Sequence, residues 1–426
     1  MKLLTVDTLD EARNKIIERV KSWPVKTEII PLCESCGRTL ADDVYASGDI
    51  PPFRRSTVDG YAVVAADTAG AGESIPVFVK QAGSVAMGKP AGISIRSGEC
   101  AYVPTGGMLP GGADAVVMVE YCEQLTENSA GGTIAVYGAV APGMGMAEAG
   151  EDLRKGNLLL RRGTLIRPQE TGALAAAGIT NLSVYAPLDL GIISTGDELV
   201  EPEQEPAPGE IRDSNTYALK ALAVNRGFRV VTARVLPDDE QRLEAALAET
   251  MALCDVAAIS GGSSQGEKDL TAAVINRMAK PGVFTHGLAL KPGKPTILGW
   301  DAASATLFVG LPGHPVSAMM VFELILGWIG TAHREQLTVN SGQGADMVKG
   351  SWPVLAVVTC NIPGSPGRTV CQPVMLHCEG GSYMAEPVFG KSGMIVTLTR
   401  ADGYIIIDLN KEGLKKGEPV LVHLWR

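Results

Sequence analysis

Four short loops carry most of the residues in this 426-residue chain that could do chemistry. They are rich in glycine, serine and carboxylate side chains, each follows an apolar run, and they cover residues 194–199, 237–239, 260–269 and 310–318. In an open parallel sheet, ligands bind beyond the carboxyl ends of the strands. We therefore expect the four loops to converge on one crevice, which is typical of an enzyme or of a specific anion binder.

Two of these loops could hold an anion through the backbone. Gly261 and Gly262 let N–H groups approach a ligand closely, because glycine tolerates positive φ, and the helix that follows adds the positive end of its dipole. Pro315 stands at the first position of a later helix, behind Gly313 and His314. The first N–H groups of such a helix are free to donate. A plain turn between strand and helix is the alternative for both loops.

Charged side chains complete the predicted crevice. Lys291 and Lys294 lie on a loop stiffened by prolines, although a solvated turn has the same composition. The carboxylates are too many for phosphate binding alone: Asp197, Glu198, Asp238, Asp239 and Asp269. Hard oxygen ligands beside an anion-binding backbone are what a phosphate-bridging Mg²⁺ needs. Helix capping is their alternative role, and for Asp239 we favour it.

The composition narrows the class of partner. The chain has 37 basic and 47 acidic residues, a net charge of −10, and no cluster of lysine and arginine of the kind that nucleic acid needs. An anionic substrate must therefore be met by local cations, backbone amides or a metal ion. The first residues are charged too early for a signal peptide, and no apolar run approaches the roughly 20 residues that span a bilayer. With eight scattered cysteines, we expect a cytoplasmic protein without membrane or nucleic-acid partners.

The elements that must position these residues change along the chain. Thr8 and Glu11 form a capping box at the start of a helix that ends before Pro24. Short β-like runs, cut by glycine and proline, fill residues 48–145 and predict a small β-rich unit. A helical pattern returns over residues 151–178.

Strands and helices then alternate over residues 187–330, which predicts a doubly wound α/β domain with a parallel sheet. Residues 342–426 are again strand-like and suit a small β-barrel or sandwich. The strands expected in this tail are residues 355–359, 392–398 and 404–409.

Eight motifs resemble those of the molybdopterin molybdenumtransferases, the MoeA and gephyrin E-domain family. They are STVDGYAV at 56–63, PTG at 104–106, GED at 150–152, STGDEL at 194–199, DSN at 213–215, GGSSQGEKD at 261–269, KPGKP at 291–295 and LPGHPVSA at 311–318. Any one motif is weak, but all eight occur in the family's order.

The resemblance implies a multidomain α/β plus β fold and a homodimer. Each subunit would have an N-terminal linker domain in two segments, residues 1–47 and 146–184, around an inserted β-rich domain at 48–145. A molybdopterin-binding α/β domain at 185–331 and a C-terminal β-barrel at 332–426 would follow.

The implied activity is a metal-dependent transfer in molybdenum cofactor biosynthesis. Molybdenum from molybdate is placed on the dithiolene sulfurs of adenylyl-molybdopterin, AMP is released, and Mg²⁺ is the cofactor. A molybdopterin adenylyltransferase is the expected partner that hands over the substrate.

The resemblance also implies the roles of individual residues. The catalytic positions are Asp59, Thr105, Asp152, Glu198, Asp238 and Asp269, of which Glu198 and Asp269 would also bind the metal. The substrate-binding positions are Ser194, Thr195, Gly196, Ser260, Gly261, Gly262, Lys291, Lys294, Pro312, Gly313, His314, Pro315 and Ser317. Asp59 and Thr105 would complete the pocket of the neighbouring subunit.

The sequence departs from the family pattern in places. His314 stands where the family often has asparagine, residues 263–265 are more polar than usual, and Arg54 and Arg55 precede the Asp59 motif where Asp-Asn-like residues are common. These changes either tune the oxyanion, for example tungstate instead of molybdate, or are neutral.

Two other functions stay open. A molybdopterin adenylyltransferase shares the α/β domain but usually lacks the β-rich insert and the C-terminal barrel. A non-catalytic scaffold would keep the fold. The intact Asp59, Glu198 and Asp269 argue against a scaffold, because a decayed site should lose carboxylates that repel one another.

Overall fold

The computed structural model describes residues 6–21, 23–126, 132–261, 265–338 and 353–425, without the side chains of residues 265–269 and 334–338. The chain divides into two compact units. The first unit contains residues 1–28 and 185–426, and the second unit contains residues 29–184. The four domain boundaries expected from the sequence stay a prediction.

The helices largely follow the predicted pattern. They are α1 (Leu9–Val20), α2 (Pro168–Ala176), α3 (Asn215–Asn225), α4 (Glu240–Leu253), α5 (Gln265–Met278), α6 (Pro315–Phe322) and α7 (Trp328–Thr338). The capping box of α1 is confirmed, because the Glu11 N–H donates to the Thr8 hydroxyl and the Thr8 N–H donates to the Glu11 carboxylate.

The helical pattern expected over residues 151–178 is wrong in its first half. Leu158–Leu160 is a strand, and the helix begins only at Pro168. Gly156 and Gly163 both adopt φ of +83°, a left-handed conformation that a right-handed helix does not contain. The two glycines therefore turn the chain before the helix can begin.

The α/β part of the first unit holds a six-stranded sheet. Its strands are β1 (Asp189–Thr195), β2 (Arg229–Leu236), β3 (Val256–Gly261), β4 (Pro281–His286), β5 (Ile297–Asp301) and β6 (Thr306–Pro312). The order across the sheet is β2-β1-β3-β6-β5-β4. Strands β2, β1, β3 and β6 are parallel, but β5 pairs antiparallel with both of its neighbours, β6 and β4. The expectation of a fully parallel sheet is corrected at this edge, because a short turn joins β5 to β6 and such a turn cannot join parallel strands.

Helices cover both faces of this sheet. Val256 and Ala258 of β3 pack in one apolar cluster with α3 and α6. Ala257 and Ile259 pack in another cluster with α4 and α5. Because successive side chains of a strand point to opposite faces, this division confirms a doubly wound domain.

One long apolar helix lies in the core of the first unit. Residues 315–333 form the one helix in the described ranges that is long and apolar enough to cross a bilayer by length and composition, and 67% of it is buried inside the protein. The sequence predicts no apolar run of this length, because Ser317 and Glu323 interrupt the apolar residues of this helix. The segment Glu323–Gly327 between α6 and α7 is a π-helical turn, and the Glu323 carboxylate accepts from Arg226 Nε at 2.8 Å.

The C-terminal part of the first unit is a closed barrel, which decides between the barrel and the sandwich. Its strands are β7 (Val354–Val358), β8 (Thr369–Glu379), β9 (Ser382–Pro387), β10 (Gly403–Ile407) and β11 (Pro419–Leu424). Pairing runs β8-β9-β7-β11-β10 and closes from β10 to β8. The strand expected at residues 392–398 is wrong. Ile395–Arg400 is a 3-10 helix in which only Leu398 is buried, so it lacks the alternation of a strand.

The second unit contains a six-stranded sheet, as the β-like runs predict. Its strands, in order across the sheet, are Ala115–Met118, Gly60–Val63, Glu99–Val103, Val77–Ser84, Thr133–Val136 and Cys122–Thr126. Shorter strands of the chain are Thr27–Pro31, Val44–Tyr45, Arg55–Ser56, Met146–Ala147, Asn181–Tyr185, Leu199–Val200, Ile211–Arg212, Leu290–Lys291, Ile362–Pro363 and Gly413–Leu414.

Candidate functional site

The register of the parallel strands brings the four loops to one edge of the sheet. Thr195 of β1 is opposite Leu236 of β2 and Gly261 of β3, and Gly261 is opposite Pro312 of β6. The carboxyl ends of the four parallel strands are therefore level, and the loops that follow them begin side by side, as the sequence predicts.

Two cavities open at this edge, and Gly313 and His314 line both of them. We call the first the carboxylate cavity: it has a volume of about 480 Å³ and is lined by Glu198 and Asp213. We call the second the cation cavity: it has a volume of about 500 Å³ and lies between the α/β part and the barrel. Its cationic residues are Lys291, Lys294, Arg368 and Lys391.

Hydrogen bonds fix the wall of the carboxylate cavity. The hydroxyls of Ser194 and Thr216 are 2.7 Å apart. The side-chain amide of Asn215 donates to Ser260 Oγ at 2.9 Å and to the Gly313 carbonyl at 2.8 Å. Ser194 and Ser260 are buried, and their hydroxyls thus hold the start of α3 against the ends of β1 and β3.

Two glycines of the predicted site lie in close contact with neighbouring side chains. A Cβ on Gly261 would lie 1.8 Å from the Thr195 hydroxyl oxygen, so no other residue fits at the end of β3. A Cβ on Gly196 would lie 2.7 Å from a carboxylate oxygen of Glu198. Gly196 therefore lets the exposed Glu198 carboxylate fold back over its own loop.

The cation cavity concentrates positive charge. No aspartate or glutamate is among its lining residues, and none of its four cations forms an ion pair with a residue that the structure describes. Lys291 is placed there because Leu290–Lys291 pairs with Thr369 and Val370 at the start of β8. The thiol of Cys371 also lines this cavity, and burial raises its pKa to about 12, so it remains neutral.

The loop before α6 joins the two cavities. Pro315 is the first residue of α6, as predicted, and His314 precedes it. The Val316 N–H donates to the Ser392 carbonyl at 3.1 Å, which corrects the expectation that the first N–H groups of this helix are free. The Ser317 N–H is the first without a partner in the described part of the chain. His314 Nδ1 lies 2.9 Å from the Ser392 hydroxyl.

The other predicted carboxylates have separate positions. Asp239 caps α4, where it accepts from the Arg242 N–H at 2.8 Å, so the capping role is confirmed. Asp197 accepts from the Asp238 N–H at 3.1 Å. Asp238 lines neither large cavity and instead contacts a space of about 30 Å³ beside Thr195.

Part of the predicted metal site lies outside the described residues. Gly262 is not described, and neither is the side chain of Asp269, so the pairing of Glu198 with Asp269 stays a prediction. Within the described ranges, no group of three or more histidine, cysteine or acidic side chains is arranged to hold a metal ion.

The three catalytic residues predicted from the first half of the chain lie on the second unit. Asp59 accepts from the Thr105 N–H at 2.8 Å, so these two residues are adjacent. The Asp152 N–H donates to the Ile50 carbonyl. All three side chains are exposed.

Several residues of the two cavities have no role in the sequence-based prediction. Arg368, Lys391 and Ser392 belong to the barrel segment, where the sequence shows only single cations beside glycine, a pattern typical of turns. Asp213 and Asn215 belong to the DSN motif, but the resemblance implies no role for their side chains.

Known proteins share this arrangement of parts. Residues 7–178 match the model of the MoeA N-terminal region (domain I and II), residues 191–331 match that of a probable molybdopterin binding domain, and residues 356–425 match that of the MoeA C-terminal region (domain IV). The chain therefore belongs to the MoeA family.

Individual relatives agree over the full length. The molybdopterin molybdenumtransferase of Haemophilus influenzae is 31% identical over 417 residues, which cover 97% of this chain and 98% of that protein. The molybdopterin molybdenumtransferase of Bacillus subtilis is 30% identical over 98% of this chain and 94% of that protein. The crystal structure of a molybdopterin biosynthesis MoeA protein from Pyrococcus horikoshii superposes with a TM-score of 0.76 at 35% identity and covers 99% of each chain.

Proposed function

We propose that this chain inserts molybdenum into molybdopterin during molybdenum cofactor biosynthesis. Relatives with the name molybdopterin molybdenumtransferase match it along nearly their whole length. An adenylyltransferase is not favoured, because the chain carries the additional six-stranded sheet and the closed barrel.

The observation that carries the proposal is the separation of charge at one sheet edge. Molybdate is a tetrahedral dianion, and a protein with a net charge of −10 must bind it with local donors. The cation cavity supplies Lys291, Lys294 and Arg368, and the Ser317 N–H and hydroxyl lie on its wall. The carboxylate cavity, on the other side of Gly313, is left for the pterin.

The order of the chemistry follows from this placement. Molybdate bound in the cation cavity would be presented across the loop of Gly313 and His314 to the dithiolene sulfurs of adenylyl-molybdopterin. The two dithiolene sulfurs replace one oxygen of molybdate, which leaves as water with the two thiol protons. Water attacks the phosphoanhydride bond, which breaks to leave a phosphomonoester on the pterin and to release AMP. The protein contributes binding and orientation, since a fixed approach of two reactants removes much of the entropic barrier.

A divalent cation fits the Glu198 side of the site. Glu198 is an exposed oxygen donor on the carboxylate cavity, and oxygen donors are the ligands that Mg²⁺ prefers. We propose that Glu198, together with Asp269, holds Mg²⁺ and that the ion neutralises charge on the phosphoanhydride.

The oligomeric state and the compartment belong to the same proposal. Asp59 and Thr105 are exposed and adjacent, with polar groups that a second subunit's substrate could contact. We therefore propose a cytoplasmic homodimer in which these residues complete the partner's site, and which receives its substrate from a molybdopterin adenylyltransferase.

Replacement of Lys291 tests the oxyanion site. Lys291→Gln removes one charge from the cation cavity, so the molybdate concentration needed for half-maximal insertion should rise about tenfold, as expected for the loss of one charge-assisted hydrogen bond. Lys416→Gln is the matched control, because Lys416 is an exposed lysine of the barrel segment outside both cavities. An unchanged molybdate requirement in Lys291→Gln would contradict the binding of molybdate in the cation cavity.

A further inference from the structure

Two acceptor oxygens of residues that line the carboxylate cavity have no hydrogen-bond donor in the part of the chain that the structure describes. Asp213 is only 3% exposed; its Oδ1 accepts from the Thr216 N–H at 3.1 Å, but its Oδ2 has no partner among the described residues. Asn215 Oδ1 is also buried and has no donor within the described ranges. The orientation of the Asn215 amide is fixed, because its nitrogen donates to Ser260 and to the Gly313 carbonyl.

The cation on the same wall does not satisfy these oxygens. Arg212 lines the carboxylate cavity, but its Nε donates to the carbonyls of Pro202 and Gln204, and its Nη2 donates to Glu205. The guanidinium is thus held by the exposed segment 201–205. Arg212 therefore does not neutralise the Asp213 carboxylate.

Buried polar atoms in proteins almost always have partners, and an unpartnered one weakens the fold. Two such oxygens at neighbouring positions on one cavity indicate that a ligand supplies the missing donors. Both oxygens are closed to water here, but the terminal torsion of an aspartate is broad, so a small rotation presents Oδ2 to the cavity.

We propose that Asp213 forms a subsite for the 2-amino-4-oxopyrimidine edge of the pterin. This inference rests on the proposed function, which supplies a pterin as the substrate class. That edge carries the 2-amino group and the N3–H side by side, so it offers two parallel donors to a carboxylate, as a guanidinium does.

The same chemistry excludes other parts of the substrate from this subsite. A phosphate or a molybdate would bring negative charge against Asp213, and Arg212, the described cation of this wall, is already held by the segment 201–205. Adenine presents a ring nitrogen acceptor beside its amino group, so one of its two contacts with a carboxylate would be repulsive. The subsite therefore fixes which end of the substrate enters the carboxylate cavity.

Binding of two pteridines to the purified full-length chain tests the proposal. The probes are pterin (2-amino-4-oxopteridine) and lumazine (2,4-dioxopteridine), which differ by the replacement of the 2-amino donor with a carbonyl acceptor. Calorimetry should show that the wild type binds pterin at least tenfold more tightly than lumazine. In Asp213→Asn the preference should fall below about threefold, because an amide serves either partner, while affinity for AMP should stay within about twofold.

Asp239→Asn is the matched control. It removes the same charge near the same sheet edge, and asparagine also caps a helix, so the pterin preference should remain. Equal melting temperatures would show that both variants fold. The proposal is overturned if the wild type does not prefer pterin, if Asp213→Asn keeps the preference, or if Asp239→Asn loses it equally.

The measurement separates the subsite from the proposed function, because it requires no turnover. A wild type that prefers pterin but yields no molybdenum-containing product would retain the subsite and remove the function. A wild type that yields this product but does not prefer pterin would retain the proposed function and overturn the subsite.

Discussion

His314 occupies the point where the two cavities meet, and its ring is held by the Ser392 hydroxyl. Its position in the loop follows from the sequence, since Pro315 can begin a helix and the preceding residue is then the N-cap. The contact with Ser392 does not follow, because it joins positions far apart in the chain. The sequence also does not predict that Arg368 and Lys291 line one cavity, because this depends on the pairing of Leu290–Lys291 with β8.

At this scale we predict an effect of His314 on oxyanion binding. The ring lines the cation cavity and is oriented by the Ser392 hydroxyl, so it offers a polar group to a bound oxyanion. Molybdate affinity should therefore fall by about tenfold in His314→Ala, as expected for the loss of one hydrogen bond to a charged group, and by less in His314→Asn, which keeps a polar side chain. Calorimetric titration with molybdate measures this. Equal affinities of the wild type and His314→Ala would mean that His314 only replaces the usual asparagine structurally.

At the scale of elements, hydrophobic periodicity predicted the helices and the buried strands of the α/β part. It did not predict the reversed direction of β5, because the apolar pattern of a buried strand is the same whether its neighbour is parallel or antiparallel. Two predictions of elements were wrong for local reasons. The helix expected over residues 151–178 begins late, because glycines at positive φ interrupt its first half. The segment expected to be a strand over 392–398 instead contributes to a 3-10 helix.

The barrel strands β10 and β11 give a stability prediction. His423 of β11 stacks on Tyr404 of β10 with ring centroids 5.3 Å apart. Burial, and then the nearby Arg13, lower the pKa of His423 from 6.5. As pH falls below that value, the unfolded chain takes up the proton before the folded chain does, so the free energy of unfolding decreases.

Replacement of His423 by phenylalanine keeps an aromatic ring on Tyr404 and removes this proton uptake. The melting temperature of the wild type should therefore drop more steeply between about pH 7 and pH 5 than that of His423→Phe. Thermal unfolding followed by circular dichroism measures both curves. Parallel curves would contradict a lowered pKa for the half-buried His423.

At the scale of the whole molecule, the motifs established the family, and the α/β plus β fold is confirmed. The homodimer and the sharing of sites between subunits stay predictions. Asp59 and Thr105 belong to the second unit, whereas Glu198 belongs to the first. Sequence alone could not place these residues relative to one another, because assembly depends on surfaces that motifs do not describe.

A mixing experiment tests the shared site. In a mixed dimer of Asp59→Ala and Glu198→Ala chains, one of the two sites should contain neither substitution. Insertion activity should therefore return to about half of the wild-type value per mixed dimer, although each variant alone is inactive. Differently tagged chains, purified in sequence, isolate the mixed dimer. Its failure to recover activity would indicate that each site is completed within one subunit.

The central claim is that this chain transfers molybdenum to molybdopterin, and the mass of the product tests it most directly. Purified protein should be incubated with adenylyl-molybdopterin, Mg²⁺ and molybdate, and the pterin and nucleotide products should be analysed by mass spectrometry. Our account predicts a pterin that has gained molybdenum, with one AMP released for each, and neither product when molybdate is omitted or Mg²⁺ is chelated. A pterin without molybdenum, or the formation of adenylyl-molybdopterin from ATP and molybdopterin by this chain, would contradict it.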